Sequence, residues 1–160
     1  MIYIINLGKT IALLAVVIIA VIAVGVYLGF SSIIQEKTFS VDCTGIVTEV
    51  VDGDTIDVRS ESGFMAGETF RVRFADVDTP KSDTSDGSDA TSALSRLIER
   101  KRIILDIDDI HTYDTGGTRV VAVIYLQIDE SNYLNINKWL VDNGYARIWD
   151  HDNEFDPYSW

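Results

Sequence analysis

Between Val51 and Lys81 the chain reads VDGDTIDV and then, after a glycine-containing gap, RVRFADVDTPK. Apolar and polar residues alternate through both pieces, the period of strands with one buried face. Phe70, Val72 and Phe74 take the core side, while Arg71 and Arg73 share the other. An Asp-Gly pair alone marks a turn, since glycine supplies positive φ and aspartate bonds its own backbone. Here two acidic signals, Asp52-Gly53-Asp54-Thr55 and Asp76-Val77-Asp78-Thr79-Pro80, stand at the ends of neighbouring strands. They bring Asp54 and Asp78 to one rim of a sheet beside guanidinium groups, which predicts a hard-cation site.

The remaining pattern supplies partners for that sheet. Gly45 to Val50 reads as a first strand, Thr55 to Arg59 as a second, Glu61 to Gly67 as a turn region and Thr69 to Val77 as a third strand ended by Pro80. Lys81 to Gly87 is a polar loop. Ser88 or Asp89 then caps a helix carrying Ala90, Ala93, Leu94, Leu97 and Ile98. Ile103, Leu105 and Ile107 alternate as a fourth strand, DTGG at 114–117 turns, and Val120 to Leu126 is a nearly continuous apolar fifth strand. A second helix fits Ile136 to Asn143, with Ile136, Trp139 and Leu140 inward and Gly144 as its stop. Five strands with a helix between the third and fourth match the five-stranded oligonucleotide-binding barrel, so the expected class is mainly β with α. In the tail, Phe155, Tyr158 and Trp160 are expected to seal the open end of the core.

There is no glycine-rich phosphate loop and no Cys–His cluster. Cys43 is the only cysteine, which excludes an internal disulfide and leaves a half-buried structural thiol. His111 and His151 lie near acidic turns and read as solvent-facing caps. Zinc wants nitrogen or sulfur ligands. Oxygen-only ligation by carboxylates and a carbonyl suits Ca2+, which tolerates about 6–8 loosely arranged oxygens.

GDTI, RFADVDTP, TRVVAVIY and LVDNGYA, in that order, resemble the thermonuclease family, the staphylococcal nuclease-like domains. The resemblance covers Gly45 to Arg147 and implies the same barrel and a calcium-dependent nuclease acting on DNA or RNA. It implies Asp54, Asp78 and the Thr79 carbonyl as metal ligands, with Arg73 and Arg119 presenting planar forks to the phosphate oxygens as charge builds. Three departures stand out. Lys81 occupies the place of the family's glutamate and becomes the candidate catalytic or phosphate-holding residue there. The approach to Arg119, Tyr113 through Thr118, is longer than usual. Asp150 falls where a nucleotide-contacting aromatic is expected, with Trp149 adjacent. The competing expectation is a non-catalytic barrel that binds single-stranded nucleic acid or a protein partner.

The first forty residues differ in kind. Ile11 to Phe30 carries no charge and no proline, and such a run at about 1.5 Å per residue spans the ~30 Å hydrocarbon layer. The expected organisation is a short cytoplasmic end at 1–9, a transmembrane anchor at 10–31 embedded in the lipid bilayer, a stalk at 32–41 and the nuclease-like domain at 42–160. Lys9 before the span places the domain outside the cell, and a secreted form would follow if the segment were cleaved. The chain of 160 residues has a net charge of -12, with 25 acidic against 13 basic residues. That is the opposite sign to most nucleic-acid proteins, so substrate has to be held by a local arginine cluster. An acidic shell of this kind also suits a saline medium, where long-range repulsion is screened.

Overall fold

The computed structural model describes residues 39–160. Its strands are β1 (Cys43–Asp52), β2 (Thr55–Gly63), β3 (Thr69–Phe74), β4 (Val77–Asp78), β5 (Arg102–Ile107), β6 (Val120–Gln127), β7 (Tyr133–Asn135) and β8 (Arg147–Ile148). Helix α1 spans Ser85–Ile98 and α2 spans Ile136–Asp142. β2 pairs antiparallel with β1 and β3, β5 pairs antiparallel with β1 and β6, and a parallel β3–β6 pairing closes the ring. This is the expected five-stranded barrel. β7 adds to the outer edge of β6, and β4 with β8 forms a separate two-stranded ribbon.

The alternation read from the sequence becomes the barrel interior. Val47, Ile56, Val58, Val72, Phe74, Leu105 and Ile124 are buried together with Leu94 and Ile98 of α1 and Ile136 and Leu140 of α2. Truncating a fully buried side chain such as Leu94 to alanine would cost about 2–5 kcal/mol, from lost transfer energy and the cavity left behind. Asn137 is a buried polar exception. Its Oδ1 accepts from the Ile124 N–H (3.0 Å) and its Nδ2 donates to the Ala75 carbonyl (2.8 Å), so α2 is bolted to β6 and to the end of β3.

Several expectations change. β2 runs on through Gly63, inside the stretch read as a turn, because the pairing with β1 continues past Gly45 opposite Ser60 to Thr44 opposite Ser62 and Cys43 opposite Gly63. The third strand breaks at Asp76, whose φ of 55° lies in the left-handed region, and Val77 restarts as β4. Helix α1 begins earlier than the apolar period suggested: Thr84 is the cap, its hydroxyl accepting the Gly87 N–H at 3.1 Å. Gly87 is there for space, since a Cβ would run into the Lys81 carbonyl oxygen. Cys43 is fully buried and donates to the Ser60 hydroxyl. Phe155 and Trp160 pack on the core, whereas Tyr158 is 73% exposed and seals nothing. Gly144 has φ 74° and stops α2 as expected. The expected anchor at 10–31 lies outside the described residues, and among those described no helix is long and apolar enough to cross a membrane.

Candidate active site

The β1–β2 turn is built by its own acids. Asp52 Oδ1 accepts the Asp54 N–H at 3.1 Å, which turns the chain and sends the Asp54 side chain inward, where it is 6% exposed. Gly53 permits close approach of a second loop, for a Cβ there would lie 2.8 Å from the Thr79 hydroxyl. Across that contact Asp54 Oδ2 accepts from the Thr79 N–H (3.0 Å) and hydroxyl (2.9 Å), and Oδ1 accepts from the Thr55 hydroxyl (3.2 Å). Arg73 completes the corner: Nη1 stands 3.3 Å from Asp54 Oδ1 and donates to the Phe74 carbonyl (2.8 Å), while Nη2 donates to the Val77 carbonyl (2.7 Å). Burial pushes the Asp54 carboxyl above its ordinary range, and the Arg73 charge and Thr79 donors oppose that shift.

Because β3 and β6 run parallel, with Val72 opposite Val120, Arg73 of β3 and Arg119, the residue just before β6, come to the same side of the barrel. Both line one cavity of about 980 Å3, together with Asp76, Asp108, Tyr113 and Trp149. Arg119 is steered by Asp114, a residue the sequence reading did not single out. Asp114 Oδ2 accepts from Arg119 Nε (2.6 Å), and Oδ1 accepts the N–H groups of Thr118 (3.1 Å) and Arg119 (3.2 Å). The longer approach loop thus folds back on one carboxylate that orients the guanidinium. Burial raises the Asp114 carboxyl, but the Arg119 hydrogen bond and the two backbone donors outweigh it and hold the group below its usual range.

The far wall is the segment after β8. Asp76 draws it in: its carbonyl accepts the Trp149 N–H (2.9 Å), and Oδ1 accepts the His151 N–H (3.0 Å) and Asn153 Nδ2 (2.6 Å). Burial raises this carboxyl, against the His151 and Asn153 donors. Trp149 is 47% exposed at the rim, with the Arg147 guanidinium 6.0 Å from its ring centroid and the His151 ring 4.8 Å away at a tilt. His111 and His151 are both exposed, as expected of them, and both line the cavity.

Asp78 and Lys81 stand apart from that cavity. They line a second one of about 520 Å3 with Thr79, Tyr145 and Arg147. Asp78 Oδ2 takes both Arg147 Nε (3.0 Å) and Nη2 (2.8 Å), a pairing that exists because β4 and β8 are partners and that no sequence spacing announces. Among the described residues no three carboxylate, imidazole or thiol side chains converge as a metal cluster. Asp54 and Thr79 meet at one corner, and Asp78, next to Thr79 in the chain, is held by Arg147; as oxygen donors these three suit a calcium-like ion by type and not zinc.

Residues 71–159 match the family described as staphylococcal nuclease homologue. The chain belongs to this family. Among relatives of this staphylococcal nuclease homologue, the micrococcal nuclease of Shigella flexneri is 32% identical over 109 residues, covering 66% of this chain and 58% of that protein. Protein ParB of Escherichia coli is 29% identical over 114 residues, 71% of this chain and 62% of its own length. Endonuclease YhcR of Bacillus subtilis (strain 168) is 34% identical over 121 residues, 70% of this chain and 10% of that much longer protein. The chain therefore spans about three-fifths of the first two, at 58% and 62%.

Proposed function

We propose that this staphylococcal nuclease homologue is a calcium-dependent nuclease that hydrolyses phosphodiester bonds of single-stranded DNA or RNA, held at the cell membrane by residues 10–31 with its barrel outside. The observation that carries the reading is the convergence of Arg73 and Arg119 on one cavity beside the Asp54–Thr79 corner. Arg73, fixed by two main-chain carbonyls, and Arg119, fixed through Nε by Asp114, are oriented by partners within the protein, so stabilising charge on a five-coordinate phosphorus would require little reorganisation. Asp54, Asp78 and the Thr79 carbonyl would hold Ca2+, which when bound polarises a phosphodiester oxygen and orients the attacking water. Trp149 at the rim offers a face on which a base can stack. The nuclease names among the relatives support the same reaction class.

A second reading, a barrel that binds nucleic acid without cutting it, is favoured by one residue. Lys81 is exposed and stands in the place of the family's glutamate, and a charged ammonium cannot accept the water's proton. Hydrolysis of a fluorescent single-stranded oligonucleotide by the full chain in neutral detergent, with calcium and with chelator, separates the two. Calcium-dependent cleavage supports the nuclease; binding without cleavage, with the fold verified by circular dichroism, sinks it. Lys81→Glu then locates the deficit. If a water-positioning carboxylate is what the site lacks, kcat rises by about tenfold or more; if Lys81 clamps phosphate, KM rises instead. Protease treatment of intact cells tests the topology, since loss of the domain before lysis is expected and its protection would reverse the orientation.

A further inference from the structure

Two cavities open at opposite ends of the short β4–β8 ribbon. In its register Val77 faces Ile148 and Asp78 faces Arg147. The cavity with Arg73 and Arg119 adjoins the Asp76 and Trp149 end, and the 520 Å3 cavity adjoins the Thr79 and Ala146 end. Each is lined by two cationic side chains, Arg73 and Arg119 in one beside Asp76, Asp108, Asp114 and Asp152, Lys81 and Arg147 in the other beside, among the described residues, Asp78 alone, on a chain whose net charge is -12. The parallel extends to how they are held. As Asp114 takes Arg119 by Nε, Asp78 takes Arg147 by Nε and Nη2, an arrangement that leaves Nη1 outside the pair. The backbone of Lys81 is anchored too, its carbonyl accepting both the Thr84 N–H (2.9 Å) and hydroxyl (2.7 Å).

Resting on the nuclease reading, we propose that the Lys81–Arg147 cavity is a second phosphate subsite, which receives a neighbouring phosphate of the same polynucleotide while the bond to be cut lies at the Arg73–Arg119 cavity. Two residue pairs of ribbon are only about 7 Å long, a ridge that an extended strand crosses between one phosphate and another. A ligand with a single phosphate fills one hollow; only a chain that repeats the phosphate at every step satisfies both. The substrate is then a strand that continues past the scissile bond on at least the side of the second cavity, and not a mononucleotide ester. In an acidic domain the second cavity matters the more, since its two cations stand with Asp78, whereas the first cavity carries Asp76, Asp108, Asp114 and Asp152 beside its two arginines.

The test reads binding in chelator, so that the strand stays intact, using the full chain in neutral detergent. The probes are a short fluorescent single strand of mixed sequence, followed by anisotropy, and a nucleoside 5′-monophosphate competing with it. Arg147 is 76% exposed at its side chain, so Arg147→Gln is expected to fold, and a thermal melt verifies that. The expected result is an about 5-fold loss of strand affinity, a slope of log affinity against log salt shallower by about 0.7, and monophosphate affinity within about 2-fold of the parent. Arg147→Lys restores the salt slope, because the charge and not the fork sets counterion release. Unchanged strand affinity and slope in Arg147→Gln overturn the subsite. Equal losses for strand and monophosphate overturn it as well, since Arg147 would then act at the first cavity. A parent protein that binds neither probe overturns the subsite, while calcium-dependent cleavage of the oligonucleotide decides the nuclease reading separately.

Discussion

Asp54 and Asp106 are both buried carboxylates, at 6% and 8% exposure, and burial pushes both upward. Their surroundings then diverge. Asp54 is met by the Arg73 guanidinium, the Thr79 N–H and hydroxyl and the Thr55 hydroxyl. Asp106 receives one backbone donor, the Ser40 N–H at 3.1 Å, and burial first, with Asp42, Glu154 and Asp109 adding to it, carries the carboxyl up to about 6. The same desolvation is offset in one region and compounded in the other. Arg73 stands against the Asp54 corner, whereas among the described residues no cation meets the Asp106 cluster of Asp42, Asp109 and Glu154.

Arg73→Ala is the most direct way to break the contrast, for it would make the Asp54 corner resemble the Asp106 one. Leaving that carboxylate buried without its charge partner should lower the unfolding free energy by about 3 kcal/mol in urea titrations, and hydrolysis should fall by about 10²-fold or more. Stability equal to the parent's would mean that Thr79 and Thr55 alone solvate Asp54. Arg119→Ala sharpens the comparison from the other side, because Asp114 is less enclosed. Turnover should drop by about 10²-fold while stability moves by less than about 1 kcal/mol; a melting loss as large as that of Arg73→Ala would contradict this.

Asp106→Asn addresses the uncompensated member. Its folded pKa of about 6 exceeds the ordinary 3.8, so between those values the folded protein keeps a proton that the unfolded chain has released. Stability contributed by this group therefore falls as pH rises through that window. Urea titrations should find Asp106→Asn more stable than the parent at pH 7 by about 1–2 kcal/mol and indistinguishable from it near pH 4. A gain that persists unchanged at pH 4 would point to some other cause. The smallest effect belongs to the exposed pair Arg71–Asp57, joined by bonds of 2.7 and 2.8 Å but with Arg71 45% exposed. Arg71→Ala should cost about half a kcal/mol or less, and nothing measurable in high salt.

Barrel strands were legible in the sequence because their burial alternates with the pleat, as Phe70, Val72 and Phe74 do against Arg71 and Arg73. The start of α1 was not, because its first turn, Ser85-Asp86-Gly87, has the composition of a loop; the glycine is there to clear the Lys81 carbonyl, a tertiary reason invisible to local propensity. The break at Asp76 was hidden likewise, since the residues around it continue an apolar alternation and only the demand for a positive φ interrupts the strand. Of the site, Arg73, Arg119, Asp54 and Thr79 follow from motif and offset. Asp114 carried a weak signal, an acid at the head of a Gly-Gly turn five residues before the arginine. Arg147 carried none, as its meeting with Asp78 depends on pairing two-residue strands far apart in the chain.

The hold of Asp76 on residues 149–153 has a consequence for the order in which the molecule comes into being. All five strands of the ring are complete once Gln127 has been synthesised, yet the cavity wall bearing Trp149, His151 and Asn153 is translated afterwards. At about 5–20 residues per second the interval is on the order of seconds. The pocket wall is thus the last part of the cavity to be supplied, added to strands whose residues are already in place.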